Sequence, residues 1–263
     1  MAKAQFIGVS GVARKIKNEY VGISGVARKV KAGWVGVGGV ARQYFYAGTP
    51  LSSLAIGSTV PIKENGVPAD YMVVQQGKPI RTEDDLGYDG SCDGTWLLRK
   101  QVITSMQFHS QNQTAAYADS LVHAYLNGEY LSLFKAAVQS GIKQVKIPYY
   151  NNGSDRILYA NSNGLTTKAF VLSMTEVGLH GPAGCGVLLA YFTYDSDSEA
   201  NEARIAYNSA GEPKIYFSRD PDRNRVFHIS NYGDDGFAYS TNSHYVRPCI
   251  ILPSDFAIED LII

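Results

Sequence analysis

Apolar and polar positions alternate from the first residues of the chain, and the alternation comes in blocks of fourteen. IGVSGVARKIKNEY, VGISGVARKVKAGW and VGVGGVARQYFYAG together occupy residues 7–48. Within a block Ile7 and Val9 precede Val12 and Ile16, with Lys15 and Lys17 on the opposite side, which is the period of a strand. Ser10-Gly11, Ser24-Gly25 and Gly38-Gly39 sit between the two runs as two-residue turns, where glycine supplies a positive φ. The pattern therefore predicts three consecutive β-hairpins. A lone hairpin is marginal in water, so the three are expected to pair with one another or, preferably, with copies from neighbouring chains.

Residues 49–59 change abruptly to small uncharged residues with Pro50 and Gly57, and are read as a linker. Beyond them short apolar runs, VPIKENGV, ADYMVVQQG and DGTWLLRKQVI, predict strands, with Asn65-Gly66 as a hairpin turn. From Asn112 to Ser140 the period lengthens. Tyr117, Leu121 and Tyr125, then Tyr130, Leu133, Phe134 and Val138, recur at three and four residues and predict two consecutive helices interrupted at Asn127-Gly128. The second half returns to short runs separated by Gly, Asn, Asp or Pro, from KAFVLSMTEVG to YVRPCIILPSD, and predicts an antiparallel meander. The expected class is α+β, divided as residues 1–48, 49–59 and 60–263.

Charge sharpens this division. The chain of 263 residues carries 24 Lys and Arg against 24 Asp and Glu, a formal charge of zero. Residues 1–48 nevertheless hold eight basic residues against one Glu, so this arm is +7, and the remainder, with 16 basic and 23 acidic residues, is −7. Arg14, Lys15, Lys17, Arg28, Lys29, Lys31 and Arg42 form a regular basic ladder, read as an anchoring surface for other proteins. Nucleic acid is the less favoured partner, because the ladder lacks the interleaved exposed aromatics of a single-strand platform. No apolar run is long enough to span a bilayer or to act as a signal peptide, so no membrane partner is expected. The distant cysteines Cys92, Cys185 and Cys249 make neither a disulfide framework nor a zinc site and are expected as buried thiols.

The ordered series YLNGEY (125–130), VKIPYY (145–150), SNGLTTKAFVLSMTEVG (162–178), LLAYF (188–192), ARIAY (203–207) and VRPCIILPSD (246–255) resembles a domain of uncharacterised function common in phage and bacterial proteins of Gram-positive hosts. That family is similar to C-type-lectin-like folds. The tandem Gly-Val-Ala-Arg-Lys blocks resemble modules that accompany such domains in phage structural proteins. Members usually carry a Trp-Trp-Leu-Arg-Ser-Pro strand, whereas this chain has Ile215-Tyr216-Phe217-Ser218-Arg219-Asp220-Pro221, keeping the Arg and the Pro without the tryptophans. The resemblance implies a C-type-lectin-like body of two helices plus antiparallel strands behind the all-β repeat. It further implies a virion protein, a homo-oligomer taken as a trimer, anchored to other virion proteins through residues 1–48. The body would display loops toward a host-surface protein or glycan. A purely structural role in head, collar or tail tip is the alternative, and a cell-wall hydrolase a third.

Between Pro221 and Val246 the chain is dense in Asn, Asp, Ser, Tyr and His, the mixture of an adaptable contact surface. Asn224, His228, Asn231, Tyr232, Asp234, Tyr239, Asn242, His244 and Tyr245 are the expected receptor-binding residues. Catalysis is not expected. The five histidines make no metal pair, His123 near Asp119 reads as a surface pair, and adjacent carboxylates such as Asp234-Asp235 cannot flank a sugar bond. Asp195-Ser-Asp197-Ser-Glu199 begins like a calcium loop, but Ala200 and Ala206 stand where its Gly and bidentate Glu belong. No metal or cofactor is expected.

Overall fold

The structure is a computed structural model that describes residues 48–80, 87–112, 116–152, 154–180 and 185–262, together with the backbone of the strands between residues 6 and 46. In the first 46 residues lie β1 (Phe6–Val9), β2 (Val12–Lys15), β3 (Glu19–Ile23), β4 (Val26–Val30), β5 (Ala32–Val37) and β6 (Val40–Tyr46). They pair as three antiparallel hairpins, β1 with β2, β3 with β4 and β5 with β6, closed at Val9↔Val12, Ile23↔Val26 and Val37↔Val40. The period of fourteen is thus one hairpin, and the same register recurs in each copy.

The body follows with β7 (Thr59–Glu64), β8 (Val67–Gln76), β9 (Thr95–Arg99) and β10 (Ser105–Gln107). Next come α1 (Leu121–Tyr125), α2 (Ala136–Gly141) and the short strands β11 (Val145–Ile147), β12 (Tyr149–Tyr150), β13 (Leu158–Tyr159), β14 (Leu165–Thr167) and β15 (Ala169–Phe170). The chain ends through α3 (Asp197–Arg204), β16 (Ala206–Tyr207), β17 (Pro213–Lys214), β18 (Tyr216–Asp222), β19 (Arg225–Ile229), β20 (Asp235–Tyr239), β21 (Ser243–Tyr245) and β22 (Cys249–Leu252). Two five-stranded sheets dominate, ordered β15-β22-β9-β8-β7 and β10-β21-β18-β19-β20.

The first sheet holds the core. Its inner strands β9 and β22 are buried along nearly their whole length, which is why TWLLR and CIIL are continuous apolar runs instead of alternating ones. Trp96 is fully buried, meets Tyr88 and Phe170 edge-on at ring-centre distances of 5.2 and 5.5 Å, and donates its indole N–H to the Cys92 carbonyl at 3.0 Å. Asn65-Gly66 closes β7 and β8 as the sequence predicts, with φ of 48° and 82°. The chain passes from the second sheet to the first at Val246–Pro248, where Ile103 donates to the Val246 carbonyl at 3.0 Å and Arg99 to that of Pro248 at 2.9 Å. Arg247 spans the crossing, donating to the carbonyls of Arg99 and Arg204 and to the Tyr216 hydroxyl.

The α+β, C-type-lectin-like expectation of two helices plus a sheet is not what forms: the fold is mostly β with few, short helices. α1 has five residues and continues without a break through a π-helical turn, Leu126–Tyr130, that contains Asn127-Gly128. Asn127 is the reason the turn widens and holds. Its side chain donates to the carbonyls of His123 and Ala169 and accepts from Thr167 and Lys168, tying the turn to β14 and β15. Tyr117, counted into the helical period, precedes α1 and is buried, so core packing rather than helix accounts for its spacing. α3, the longest purely α-helical segment described at eight residues, lies in the half read as a meander. The calcium-like stretch is its start: Ser196 caps the helix by accepting from the Glu199 N–H, and its hydroxyl donates to the Glu199 carboxylate.

Residues read as the start of a linker are packed. Leu51 is fully buried, and Leu51 and Ser52 donate to the carbonyls of Phe256 and Ser254 at 3.0 and 2.8 Å, while Ile258 donates to that of Thr49 at 2.8 Å.

A buried polar centre fixes the loops behind β18. Arg219 and Glu176, both without exposure, pair through two hydrogen bonds of 2.5 and 2.6 Å. Arg219 also donates to the carbonyls of Pro148 and Val171, and Glu176 accepts from Tyr88 and from the Ser173 N–H. Every oxygen of the carboxylate is engaged, so the pair is a clasp between segments and has no free group for chemistry. Cys92, Cys185 and Cys249 are buried free thiols, and burial pushes Cys92 up to about 12 and raises the other two well above the ordinary thiol value.

Candidate functional site

The stretch that the sequence marks for binding forms the outer half of the second sheet. Arg223-Asn224 closes β18 onto β19 at Asp222↔Arg225, with Arg223 taking the positive φ of 57°. Ser230–Asp234 closes β19 onto β20. Ser230 donates to the Asp234 carbonyl at 2.9 Å, Gly233 to that of Ser230 at 3.2 Å, and the Ser230 hydroxyl accepts from the Tyr232 N–H at 3.0 Å. The register pairs Arg225 with Tyr239, Phe227 with Phe237 and Ile229 with Asp235 on one face, and Val226 and His228 with Ala238 and Gly236 on the other.

On the first face Ile229 is buried and Phe227 partly so, while the rings of β20 stay in solvent. Phe237 and Tyr239 are 53% and 52% exposed. The Arg225 guanidinium lies 4.0 Å from the Phe237 ring centre, a cation–π contact, and Phe227 meets Phe237 edge-on at 6.3 Å. Arg225 also pairs with the nearly buried Asp222, and Asp222 pairs in turn with Arg156 in the loop between β12 and β13. One carboxylate between two guanidinium groups therefore stitches two hairpins together, and among the described residues it is the carboxylate that pairs with both. On the second hairpin Tyr149 and Tyr159 stack at 5.7 Å with their planes 30° apart, and Ile157 and Tyr159 are exposed. Flat exposed rings beside arginines can hold a ligand by stacking and charge; they include no nucleophile paired with a base.

The nine predicted contact residues do not share one surface. Asn224, Tyr239 and Asn242 lie at one end of the β19–β20 hairpin, where Asn224 donates to the Asn112 side chain at 3.0 Å and accepts from the Ser240 N–H, and Asn242 donates to the Tyr239 carbonyl at 2.9 Å. Asn231, Tyr232 and Asp234 lie at the other end, roughly 16 Å away at ~3.3 Å per strand residue. There Gly233 presses on α3 so closely that a Cβ would sit 2.0 Å from the Asn201 carbonyl oxygen. His228, His244 and Tyr245 belong to the sheet itself. The two imidazoles meet tilted by 50° at 4.8 Å, His244 meets the buried Phe217 edge-on at 5.3 Å, and Lys214 sits 5.7 Å above the Tyr245 ring. Burial lowers the pKa of His228, and burial together with His228 lowers that of His244 to about 4. Their Nδ1 and Nε2 atoms respectively are buried without a hydrogen-bond partner, so both rings are neutral packing groups.

Arg156, Asp222, Arg225, Phe227 and Phe237 were missed by composition alone. The signal available was the i, i+2 spacing of Arg225 and Phe227 facing that of Phe237 and Tyr239 across a short turn. His123 feels the charge of Asp119, but its ring packs on Tyr117 at 5.2 Å and its Nδ1 lies 3.1 Å from the Ala118 carbonyl. Among the described residues no group of three or more His, Cys, Asp or Glu could hold a metal ion, and no helix is long and apolar enough to cross a membrane.

For the anchoring residues, Arg14 stands opposite Ile7, Arg28 opposite Val21 and Arg42 opposite Val35, while Lys15 and Lys29 stand opposite Phe6 and Tyr20. Successive strand positions alternate between faces, so the ladder is divided between two sides. Lys17 and Lys31 lie outside the described residues.

The fold and this face belong to a defined class. Residues 93–254, from just before β9 to just after β22, match the model of a family described as a domain of unknown function, DUF6273, and the chain belongs to that family. No curated protein and no solved structure matches the chain.

Proposed function

We propose that the chain is an attachment protein of the phage-virion kind that its tandem repeats resemble, whose hairpin arm fixes it in an assembly of copies and whose body binds a host-surface molecule. The observation that carries the reading is the Arg156–Asp222–Arg225–Phe237 relay. It holds two hairpins rigidly together while leaving Phe237, Tyr239, Ile157 and Tyr159 in solvent. Exposed aromatic side chains held in place lose little freedom on binding, which makes them efficient contacts. The ligand class is a neutral or anionic surface polymer such as a glycan, matched to stacking rings beside the Arg156 and Arg225 guanidinium groups.

The experiment is adsorption of the fluorescently labelled full chain to host cells. Phe237→Ala with Tyr239→Ala is expected to abolish adsorption without lowering Tm, whereas Tyr232→Ala, at the far end of the hairpin, leaves it unchanged. Adsorption that survives the double change overturns the reading. The alternative, a purely structural component, predicts instead that the double variant fails to enter the particle while free chain shows no adsorption at all.

A further inference from the structure

We infer that the three N-terminal hairpins complete their sheets by pairing edge to edge with the same segment of a second copy of this chain. The inference deepens the proposed attachment role by naming the partner of the arm, and rests on that role.

Backbone geometry carries the argument. The closing pairs Val9↔Val12, Ile23↔Val26 and Val37↔Val40 are separated by two residues of chain. In a turn of that length the first carbonyl accepts from the fourth N–H, so these are hydrogen-bonded pairs. Hydrogen-bonded and non-bonded pairs alternate in an antiparallel ladder, which makes Gly8↔Ala13, Gly22↔Ala27 and Gly36↔Ala41 the non-bonded ones. At these positions the N–H and C=O point away from the partner strand, toward the outer edges. The repeat therefore places its two smallest residue types wherever the outer backbone is open, in all three copies. Small residues allow another backbone to approach such an edge.

The chain does not close these edges itself. Among the described residues β1–β2, β3–β4 and β5–β6 are three separate two-stranded sheets. A single residue, position 31, separates β4 from β5, and two residues are the shortest common strand reversal, so β4 and β5 cannot fold back on each other. Two-stranded ribbons are marginal alone. The same edge in the same register recurs in all three hairpins, which among the described residues stay separate sheets, and a second copy offers three such edges in the same order. Charge opposes the association, since each arm carries +7, so added salt strengthens it.

The test uses the full chain. Native mass spectrometry and light scattering are expected to give a multiple of 28.7 kDa, increasing in population as salt is raised. Ala13→Pro, Ala27→Pro and Ala41→Pro together remove outward N–H groups while sparing the inner ladder, and are expected to give a single chain whose body keeps its Tm. Ala→Ser at the same positions retains the assembly. Independently, Ala27→Cys is expected to cross-link copies on oxidation, the native thiols being buried. A triple-proline variant of wild-type mass, a wild-type chain that stays single in high salt, or no cross-link would overturn the inference. Adsorption by the Phe237 and Tyr239 variants is read separately from mass, so failure of the arm and failure of the binding face are told apart.

Discussion

Glu176 and Arg219 lie 43 residues apart in sequence and face each other with no exposure to solvent, joined by two hydrogen bonds of 2.5 and 2.6 Å. Removing one member of such a pair strands the other. Arg219→Met or Glu176→Gln is expected to cost about 3–5 kcal/mol in urea unfolding. Replacing both with Met is expected to be milder than the sum, because no uncompensated charge then remains. Additive losses in the double variant would show that the two residues act separately.

Beside this pair, Asp220 is fully buried, accepts from the Met174 N–H at 2.5 Å and has a second oxygen without a partner. Burial raises its pKa from 3.8 to about 6. A folded chain that holds its proton to higher pH than the unfolded chain loses stability as pH rises through that window, here from about 4 to about 6, and the loss is complete above it. The shift corresponds to about 3 kcal/mol. Asp220→Asn keeps an acceptor for Met174 and cannot ionise, so its stability relative to the wild type is expected to climb between pH 4 and 6 and level off above. A difference that is flat across the window refutes the assignment.

His228 and His244 have the opposite sign. Burial depresses both, His244 to about 4, against the pull of Asp234 and Asp235, which raise His228. Unfolded histidines take protons near 6.5 that the folded pair refuses, so their contribution is complete above pH 6.5 and is lost as pH falls toward 4. His244→Phe, which keeps the edge-on contact with Phe217, is expected to unfold less readily than the wild type at pH 4.5 and similarly at pH 7.5, by Tm. Equal acid sensitivity of the two proteins would refute this.

Two glycines separate strain from crowding. Gly66 has φ of 82° with nothing within 4 Å of a would-be Cβ, so Gly66→Ala is expected to cost only the conformational penalty, about 1 kcal/mol. Gly233, at φ of 84°, would also drive its Cβ into the Asn201 backbone at 2.0 Å. Gly233→Ala is expected to cost clearly more and to loosen α3, seen as faster amide exchange in residues 197–204. Equal costs would mean that the turn can move away from the helix.

Local chemistry explains what could be read in advance. The Asn65-Gly66 turn, the fourteen-residue hairpins and the continuous apolar strands β9 and β22 follow from residues adjacent in sequence, and all are legible there. The helices were overestimated because Tyr130, Phe134 and Val138 hold a helical spacing for burial's sake while the backbone between them leaves the helix at Phe134-Lys135. LLAYF, one of the short runs assigned to the meander, holds a single 3₁₀ turn at Ala190–Phe192, since a short apolar run fits either. The start of α3 was legible in Ser196-x-x-Glu199 and was obscured by the calcium-like reading. Within the candidate site the tyrosines were visible from composition, but Asp222 and Arg156 were not, because a carboxylate shared between hairpins 66 residues apart leaves no local trace.

Asp222 is where the binding face can be loosened without being dismantled. Its two ion pairs involve partly exposed arginines, so each contributes little to global stability, ~0–1 kcal/mol. Asp222→Asn is therefore expected to leave Tm within a few degrees of the wild type. The β12–β13 hairpin keeps its own bonds, from Asn151 to the Ile157 carbonyl at 3.1 Å and from Ser154 and Asp155 to the Asn152 side chain at 2.7 Å, so it keeps its shape. What it loses is its outer tether to β18, the Arg219 bond to the Pro148 carbonyl before β12 remaining. Amide exchange is expected to accelerate in residues 149–159 and not in 225–229, where the ladder and the Arg225–Phe237 contact persist. Adsorption is expected to weaken in proportion, because rings that were held must now be ordered on binding. Unchanged exchange in 149–159 would show that Asp222 does not hold the two hairpins together.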